Sequence, residues 1–562
     1  MEKLKPKLFS VMKTYSKEQF IKDVIAGIIV AIIALPLSIA LALASGVNPE
    51  RGIYTAIVAG FVISFLGGSR VQISGPTAAF ASIVAGIVAR NGMDGLIVAT
   101  IMAGIMLVIM GICRFGSLIK YIPYTITTGF TSGIAITIAI GQIKDFLGLK
   151  FENSPIETLD KAREVVRCIG TFNVYAFLVG AVSLAILILW PVMTSKLPAG
   201  KVTKILATIP PSLIVVIVSV ILVTVGNLPV NTIGSLYEIS NRLPTPHIPV
   251  TSFAMIKNVM SDAFTIAILA GIESLLSCVV SDGMIGSRHR SNMELIAQGC
   301  GNVASALFGG IPATGAIART AANVKNGGRT PIAGMVHAVT LVLVLVVLMP
   351  YAALIPMPAI AAILFMVAYN MSEWRAFRDL IKTAPKSDIV VLVTTFVLTV
   401  VFDLVVAIEI GVVLAAVLFM KRMSDVADVH GWKYIGSNDA YDEDVDPDSI
   451  NLRKVPENTL VYELSGPMFF AAADKFLQIG LEPGKNVIIL RMRSVPAMDV
   501  TALNSLEKFY AKCKKSNIQL LLSHVEEQPL SMMKHAGFFD KVGEENFCAH
   551  IDDALAKAES LK

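Results

Sequence analysis

Charge-free apolar runs long enough to cross a bilayer recur along the chain from Val24 to Met420. A membrane helix needs about 20 consecutive apolar residues, and residues 24–49 supply 26 without a charge. Residues 171–195, 205–237 and 332–372 repeat the pattern, the last being long enough for two helices. Breaking these runs at Gly, Pro and charge clusters predicts about fourteen segments: 23–44, 51–66, 75–89, 95–113, 124–143, 171–192, 208–226, 256–280, 292–308, 314–323, 331–349, 353–370, 388–403 and 405–420. Two of them are too short to span, the one after Pro76 and the one after Pro312. The first run is too long for a signal-peptide core and lacks a small-residue cleavage pattern, so it reads as an uncleaved span.

Beyond residue 422 the pattern changes. Residues 423–456 read as an acidic linker, with Asp439, Asp442, Glu443, Asp444, Asp446 and Asp448 in one run. A calcium loop needs Gly at its sixth place and Glu at its twelfth; counted from Asp442 these are Pro447 and Arg453, which excludes it. In residues 457–562, strand patterns at 459–464, 486–490 and 518–523 alternate with helical ones at 471–479, 502–515 and 549–560, the signature of a small α/β domain. The expected organisation is a cytoplasmic tail (1–22), a transmembrane domain (23–422, with repeats at about 23–226 and 256–422), the linker and the α/β domain.

Composition sharpens this split. The 562 residues are 54% hydrophobic and 16% charged, against about 25% charged in a soluble protein. Residues 1–422 hold 32 Lys/Arg and 20 Asp/Glu, whereas residues 423–562 hold 15 and 22. The basic balance belongs to the membrane part, so it does not point to nucleic acid. The six cysteines show no metal-ligand spacing and read as reduced thiols. No Ser-His-Asp, metal or nucleotide-loop constellation is present, so the sequence offers no enzyme, cofactor or metal site.

Lys/Arg placement sets the orientation. Lys3, Lys5, Lys7, Lys13, Lys17 and Lys22 put the N-terminal tail inside, and alternate loops then give 22 Lys/Arg inside against 9 outside. An even number of crossings leaves both termini in the cytoplasm. Two places match across the halves: Gly67-Gly68 followed by Ser74-Gly75-Pro76-Thr77, and Gly309-Gly310 followed by Pro312-Ala313-Thr314-Gly315. Each opens the third segment of its half. With seven segments per half, the second half starts on the opposite side, as in an inverted-topology repeat.

A half-helix that begins inside the membrane presents free backbone N–H groups and the positive end of its dipole. Ser74-Gly75-Pro76-Thr77 suits such a start, because Pro is favoured at the first helical position and Gly permits a sharp entry. The second Pro does the same, with Arg319 one turn on. Arg319 is the one Lys/Arg inside the core of a segment, and such residues usually face a cavity. Glu273, in the apolar run 263–280, reads as a site for a coupling H⁺ or Na⁺, as a partner of Arg319, or as a packing acid. Asp262, Asp403 and Glu409 read as interfacial structure and His337 as a satisfied buried histidine.

At residues 67–80 the chain resembles the SulP anion permeases, the bacterial relatives of the animal anion exchangers and prestin. Supporting stretches are Ala34-Leu-Pro-Leu-Ser38, Gly52-Ile-Tyr-Thr-Ala-Ile57, Ile272-Glu-Ser-Leu-Leu276, Arg319-Thr-Ala-Ala-Asn323 and Gly328–His337. The tail resembles that family's STAS domain. The resemblance implies an α-helical polytopic membrane fold of seven plus seven inverted segments with two half-helices, divided into core and gate domains, plus a small cytoplasmic STAS domain. It places the anion site on Pro36, Leu37 and Leu41, on Ser74, Gly75, Pro76, Thr77 and Ala78, and on Ala316, Ile317, Ala318 and Arg319, with Glu273 as the acid of the eighth span. Some relatives carry aromatic residues at the positions of Leu41 and Thr77, so this pocket is expected to be roomier and not built for halide. Thr501, after Asp499-Val500, stands nearest to the phosphorylated serine of soluble STAS relatives.

The expected function is secondary active transport of a small anion (sulfate, bicarbonate or a C4-dicarboxylate) across the cytoplasmic membrane, coupled to H⁺ or Na⁺, by an elevator-like core movement. The expected assembly is a homodimer with STAS contacts, in the lipid bilayer. The alternatives are an uncoupled exchanger or channel-like conductor, and a membrane receptor signalling through the STAS tail.

Overall fold

The computed structural model describes all residues except 1–3, 118–122, 154, 156, 197–208, 250, 403, 433–452, 471, 473–475, 477–478 and 562. The acidic run at 439–448, Asp403 and most of the helix expected at 471–479 lie outside the described residues. The chain forms two compact units, Met1–Val412 and Val413–Lys562.

The helices of the first unit are α1 (Lys17–Ala44), α2 (Pro49–Leu66), α3 (Ala81–Ile112), α4 (Tyr124–Leu147), α5 (Thr158–Arg167), α6 (Val174–Lys196), α7 (Pro211–Val225), α8 (Phe253–Ile285), α9 (Ser291–Leu307), α10 (Ile317–Lys325), α11 (Ile332–Ala352), α12 (Met357–Met371), α13 (Trp374–Thr383) and α14 (Lys386–Val401). A further helix, α15 (Leu404–Val426), runs across the division between the units. Among the described residues, seven helices are long and apolar enough to cross a membrane by length and composition. All fourteen expected segments fall on helices. The third and fourth share α3, which breaks at Gly92 (φ 66°, ψ −170°), a conformation that costs Gly little. Helices α5 and α13 lie between spans; both are amphipathic, and the search for apolar runs passes over them.

Local chemistry sets the helix ends. The Ser16 hydroxyl caps α1 by accepting from Gln19 N at 3.2 Å, and Pro49 opens α2 at a position where its missing N–H costs nothing. Helices α4 and α8 stop at left-handed Gly148 (φ 63°) and Gly286 (φ 61°). Packing sorts the helices into two sets: α1, α2, α3, α8, α9, α10 and α11 pack together, as do α4, α6, α7, α12 and α14. These are the core and gate domains of the fold. Small residues permit a close crossing of α3 and α9: a Cβ on Gly104 would lie 2.7 Å from the Gly299 carbonyl, and one on Gly299 closer still to the Gly104 carbonyl. Bare backbones meet there, as membrane helices do where side chains are smallest.

Both half-helices start three residues later than the expected segments, at Ala78 against 75 and at Ile317 against 314, so neither Pro76 nor Pro312 occupies the first helical position. Ser74–Gly75 (β1) and Thr314–Gly315 (β2) are instead paired antiparallel strands, with Ser74 opposite Gly315 and Gly75 opposite Thr314. Pairing satisfies backbone groups that would be costly to leave bare at membrane depth. The antiparallel sense is what a two-fold between inverted halves requires.

The second unit carries a five-stranded sheet in the order β3 (Asp428–Trp432), β4 (Thr459–Ser465), β5 (Val487–Ser494), β6 (Gln519–Ser523) and β7 (Phe547–Cys548). Strand β3 is antiparallel to β4 and the rest are parallel. Thus 428–432, which the sequence assigns to the linker, belongs to the sheet. Helices Val500–Lys515 and Ile551–Ser560 cover its faces with separate apolar clusters. Asp499 caps the first of these, accepting from Ala502 N and Phe470 N, both at 2.8 Å.

Candidate anion site

Two extended runs enter the core from opposite halves, and the groups that hold them define the site. Residues 68–74 are held by Glu294 of α9, which is fully buried. Its Oε2 accepts from Gly68 N (2.8 Å) and Ser69 N (3.1 Å). Its Oε1 accepts from Gln72 Nε2 (2.7 Å), Gln298 Nε2 (3.1 Å) and Ser274 Oγ (3.3 Å). Gln298 Nε2 also reaches Ser74 Oγ at 3.2 Å. Residues 311–315 are held by Asn302, which pairs with both N and O of Ala313 at 2.8 and 2.9 Å. Thr55 does the same for Ile311, and the Thr314 hydroxyl donates to Ala270 O at 2.9 Å. The halves are then tied across β1 and β2: Ala316 N donates to Ile73 O at 2.9 Å, and Ile73 N to Thr320 Oγ1 at 3.0 Å.

Past this strand pair both chains turn helical. Thr77 precedes the 3₁₀ turn Ala78–Phe80 that leads into α3, and Ala316 precedes α10; neither helix start has a side-chain cap. First-turn N–H groups there are free to meet an anion. Arg319, in the first turn of α10, is 1% exposed. Its Nη2 donates to Pro76 O at 3.2 Å and Ser38 Oγ at 3.4 Å. Among the described residues its Nε and Nη1 have no partner and no carboxylate forms an ion pair with it. A buried guanidinium with two idle donors is costly unless something else fills them.

The structure brings Ser74, Gly75, Pro76, Ala316 and Arg319 together around the strand pair. Thr77 turns to α8, where its hydroxyl donates to Glu273 Oε2 at 2.9 Å. Glu273 is half-buried and does not pair with Arg319, so the ion pair entertained from sequence is absent among the described residues. Ala78 is buried, while Ile317 and Ala318 are exposed. In α1, Pro36 and Leu41 are buried, and Leu37 packs toward Val215 of α7 and Ala359 and Ile363 of α12. The α1 residue that touches Arg319 is Ser38, which was not singled out. His337 is buried as expected, but neither ring nitrogen has a partner among the described residues, so it is not a satisfied histidine.

Sequence reasoning also missed Glu294. Its signal was visible: Glu294, Gln298 and Asn302 recur every four residues and line one face of α9.

Residues 20–395 match the Sulfate permease family and residues 450–556 the STAS domain. The chain is 38% identical over 547 residues to "Putative sulfate transporter YvdB" of Bacillus subtilis, covering 96% of this chain and 98% of that protein. It is 30% identical over 556 residues to "Bicarbonate transporter BicA" of Synechocystis sp., covering 95% and 94%. The solved structure of SLC26A9 superposes with a TM-score of 0.87 at 20% identity, over 99% of this chain and 92% of that one. The match in SLC26A9 is one of fold. With a family match across most of its membrane part and a STAS match in its tail, the chain belongs to the sulfate permease family of anion transporters and is not an enzyme.

Proposed function

We propose that the chain is a secondary active transporter of a small anion (sulfate, bicarbonate or a C4-dicarboxylate) across the cytoplasmic membrane. Transport is coupled to H⁺ or Na⁺, and the core helices carry the site past the gate helices. The observation that carries this reading is Arg319: fully buried, without a counter-ion among the described residues, and set where two uncapped helix starts converge. A site made of N–H dipoles and one guanidinium reads charge more than shape, so it suits several anions. The names of the relatives, a sulfate and a bicarbonate transporter, agree with that range. No cofactor is needed; Glu273 beside Thr77 is the group proposed to take the coupling ion. Both termini face the cytoplasm, and the assembly is a homodimer with contacts through the STAS domain.

The test is uptake into proteoliposomes of each anion in competition, at two pH values, with and without a Na⁺ gradient. Uptake accelerated by an inward H⁺ or Na⁺ gradient supports coupling. Exchange indifferent to both gradients makes the chain an uncoupled exchanger or conductor. Anion binding without flux makes it a receptor.

A further inference from the structure

The half-helix that opens at the anion site borders a second space. A cavity of about 150 Å³ runs beside α3, lined on that side by Ala79, Ser82, Gly86 and Arg90. These are spaced as one face of a helix. The inner end, Ala79, lies in the turn Ala78–Phe80 that opens the half-helix, whereas Arg90 sits just before the break at Gly92. The facing wall comes from Thr137 of α4 and from Thr158 and Lys161 of α5. A water needs about 10–15 Å³ of such space, so the cavity has room for a small hydrated ion.

The charges are unevenly matched. Arg90 Nη2 lies 3.1 Å from both oxygens of Asp262, so the one acid in the α8 wall is already neutralised. Glu157 is exposed at the rim, one turn before Lys161 on α5. The spacing would allow an i,i+4 ion pair, yet only the helical backbone bond links the two. Lys161 is half-buried and its ammonium has no side-chain partner among the described residues. Burial alone lowers its pKa from the ordinary lysine value. Beside it the Thr158 hydroxyl donates to Thr137 Oγ1 at 3.3 Å, and the Thr137 hydroxyl to Gly133 O at 3.2 Å, which leaves hydroxyl lone pairs and rotors, not buried ion pairs, along this wall.

We propose that this cleft is an antechamber for the transported anion, with Lys161 as its capturing cation. The proposal rests on the anion site at Arg319 and adds a first station to it. An incoming small oxyanion meets Lys161 and the neighbouring hydroxyls before the α3 half-helix start becomes accessible. On the orientation proposed above, the Arg90 end faces outside. Lys161 then acts on encounter and leaves the central site unchanged.

Sulfate uptake into proteoliposomes, measured at low ionic strength and with added potassium gluconate, tests this. For Lys161→Gln, kcat/KM should fall about five- to tenfold at low salt and approach wild type as salt screens the charge. The kcat and the equilibrium sulfate affinity of detergent-solubilised protein should stay at wild-type values, and Lys161→Arg should keep full kcat/KM. Lys161→Cys should regain activity with a cationic methanethiosulfonate reagent and lose more with an anionic one. A wild-type kcat/KM for Lys161→Gln at low salt, or an equal loss at high salt, overturns the antechamber. If wild-type protein takes up no sulfate, bicarbonate or dicarboxylate at all, the transporter reading fails instead.

Discussion

A Cβ placed on Gly75 would lie 2.5 Å from Nη1 of Arg319. The bare glycine of one half therefore makes room for the guanidinium of the other, and the two positions work as a unit. Gly75→Ala pushes Arg319 off Pro76 O and Ser38 Oγ without removing its charge. We expect Gly75→Ala and Arg319→Lys each to weaken sulfate binding by about 10- to 100-fold, the loss of one to two charge-assisted hydrogen bonds at about 1.5 kcal/mol each. Isothermal titration of sulfate into solubilised protein measures this. Wild-type affinity in Gly75→Ala would show that the contact is incidental.

Arg319→Met separates function from stability. The wild-type guanidinium is buried without a counter-ion, so replacing it by an apolar side chain removes an uncompensated charge from the interior. The anion-free variant should melt at the wild-type temperature or above it. Wild type should gain stability with sulfate, by about 2.7 kcal/mol at 100 times Kd, and Arg319→Met should gain none. Paired thermal melts with and without sulfate decide the point; a sulfate-stabilised Arg319→Met would remove Arg319 from the site.

Glu294→Gln is expected to behave in the opposite way. Glu294 accepts from five donors on three segments, and the amide would turn an N–H₂ toward some of them. Breaking a buried, fully used carboxylate costs about 3–5 kcal/mol. The melting temperature should drop whether or not sulfate is present, and transport should fail because residues 68–74 lose their anchor. A stable, inactive variant would mean that Glu294 meets the anion or its coupling ion directly.

What could be read from the sequence follows the strength of each physical signal. Pro76, Pro312 and lone Arg319 were legible because proline, glycine and an intramembrane charge are strong local constraints. Strands β1 and β2 were not, since two residues cannot show alternation and their partners lie about 240 positions apart. Glu294 falls inside the expected segment 292–308, near its charged start, and was not weighed as an intramembrane acid although its four-residue stripe pointed into the core. Ser38 gave no signal: a hydroxyl in an apolar helix becomes a ligand of Arg319 only through the α1–α10 packing. Strand β3 holds a glycine at 431 and follows α15 almost directly, so it looked like linker.

Truncation after Met423 removes β3 along with the rest of the sheet, so it deletes the STAS unit as a whole. Light scattering in detergent is expected to show a dimer for the full chain and mostly monomer for the truncated protein. An undiminished dimer would place the subunit contact in the membrane helices.

The last expectation concerns the coupling ion. Thr77 stands at the start of the α3 half-helix, yet its hydroxyl caps nothing and instead donates to Glu273 across the gap to α8. With Glu273 ionised, that hydroxyl proton is committed to the carboxylate, and the carboxylate repels an arriving anion. Protonation removes the repulsion and makes Glu273 a donor in its own right, leaving the Thr77 hydroxyl free to turn toward the anion. Anion and proton should therefore bind more tightly together than apart, which is what symport requires. Glu273→Gln mimics the protonated form, so it should keep anion exchange while losing its acceleration by an inward proton gradient, or its Na⁺ dependence if Na⁺ is the coupling ion. Thr77→Val should keep the response to the gradient but weaken anion binding about fivefold, the net worth of one hydrogen bond. A Glu273→Gln variant that still answers both gradients as wild type does would make Glu273 a packing acid and send the search for the driving ion elsewhere.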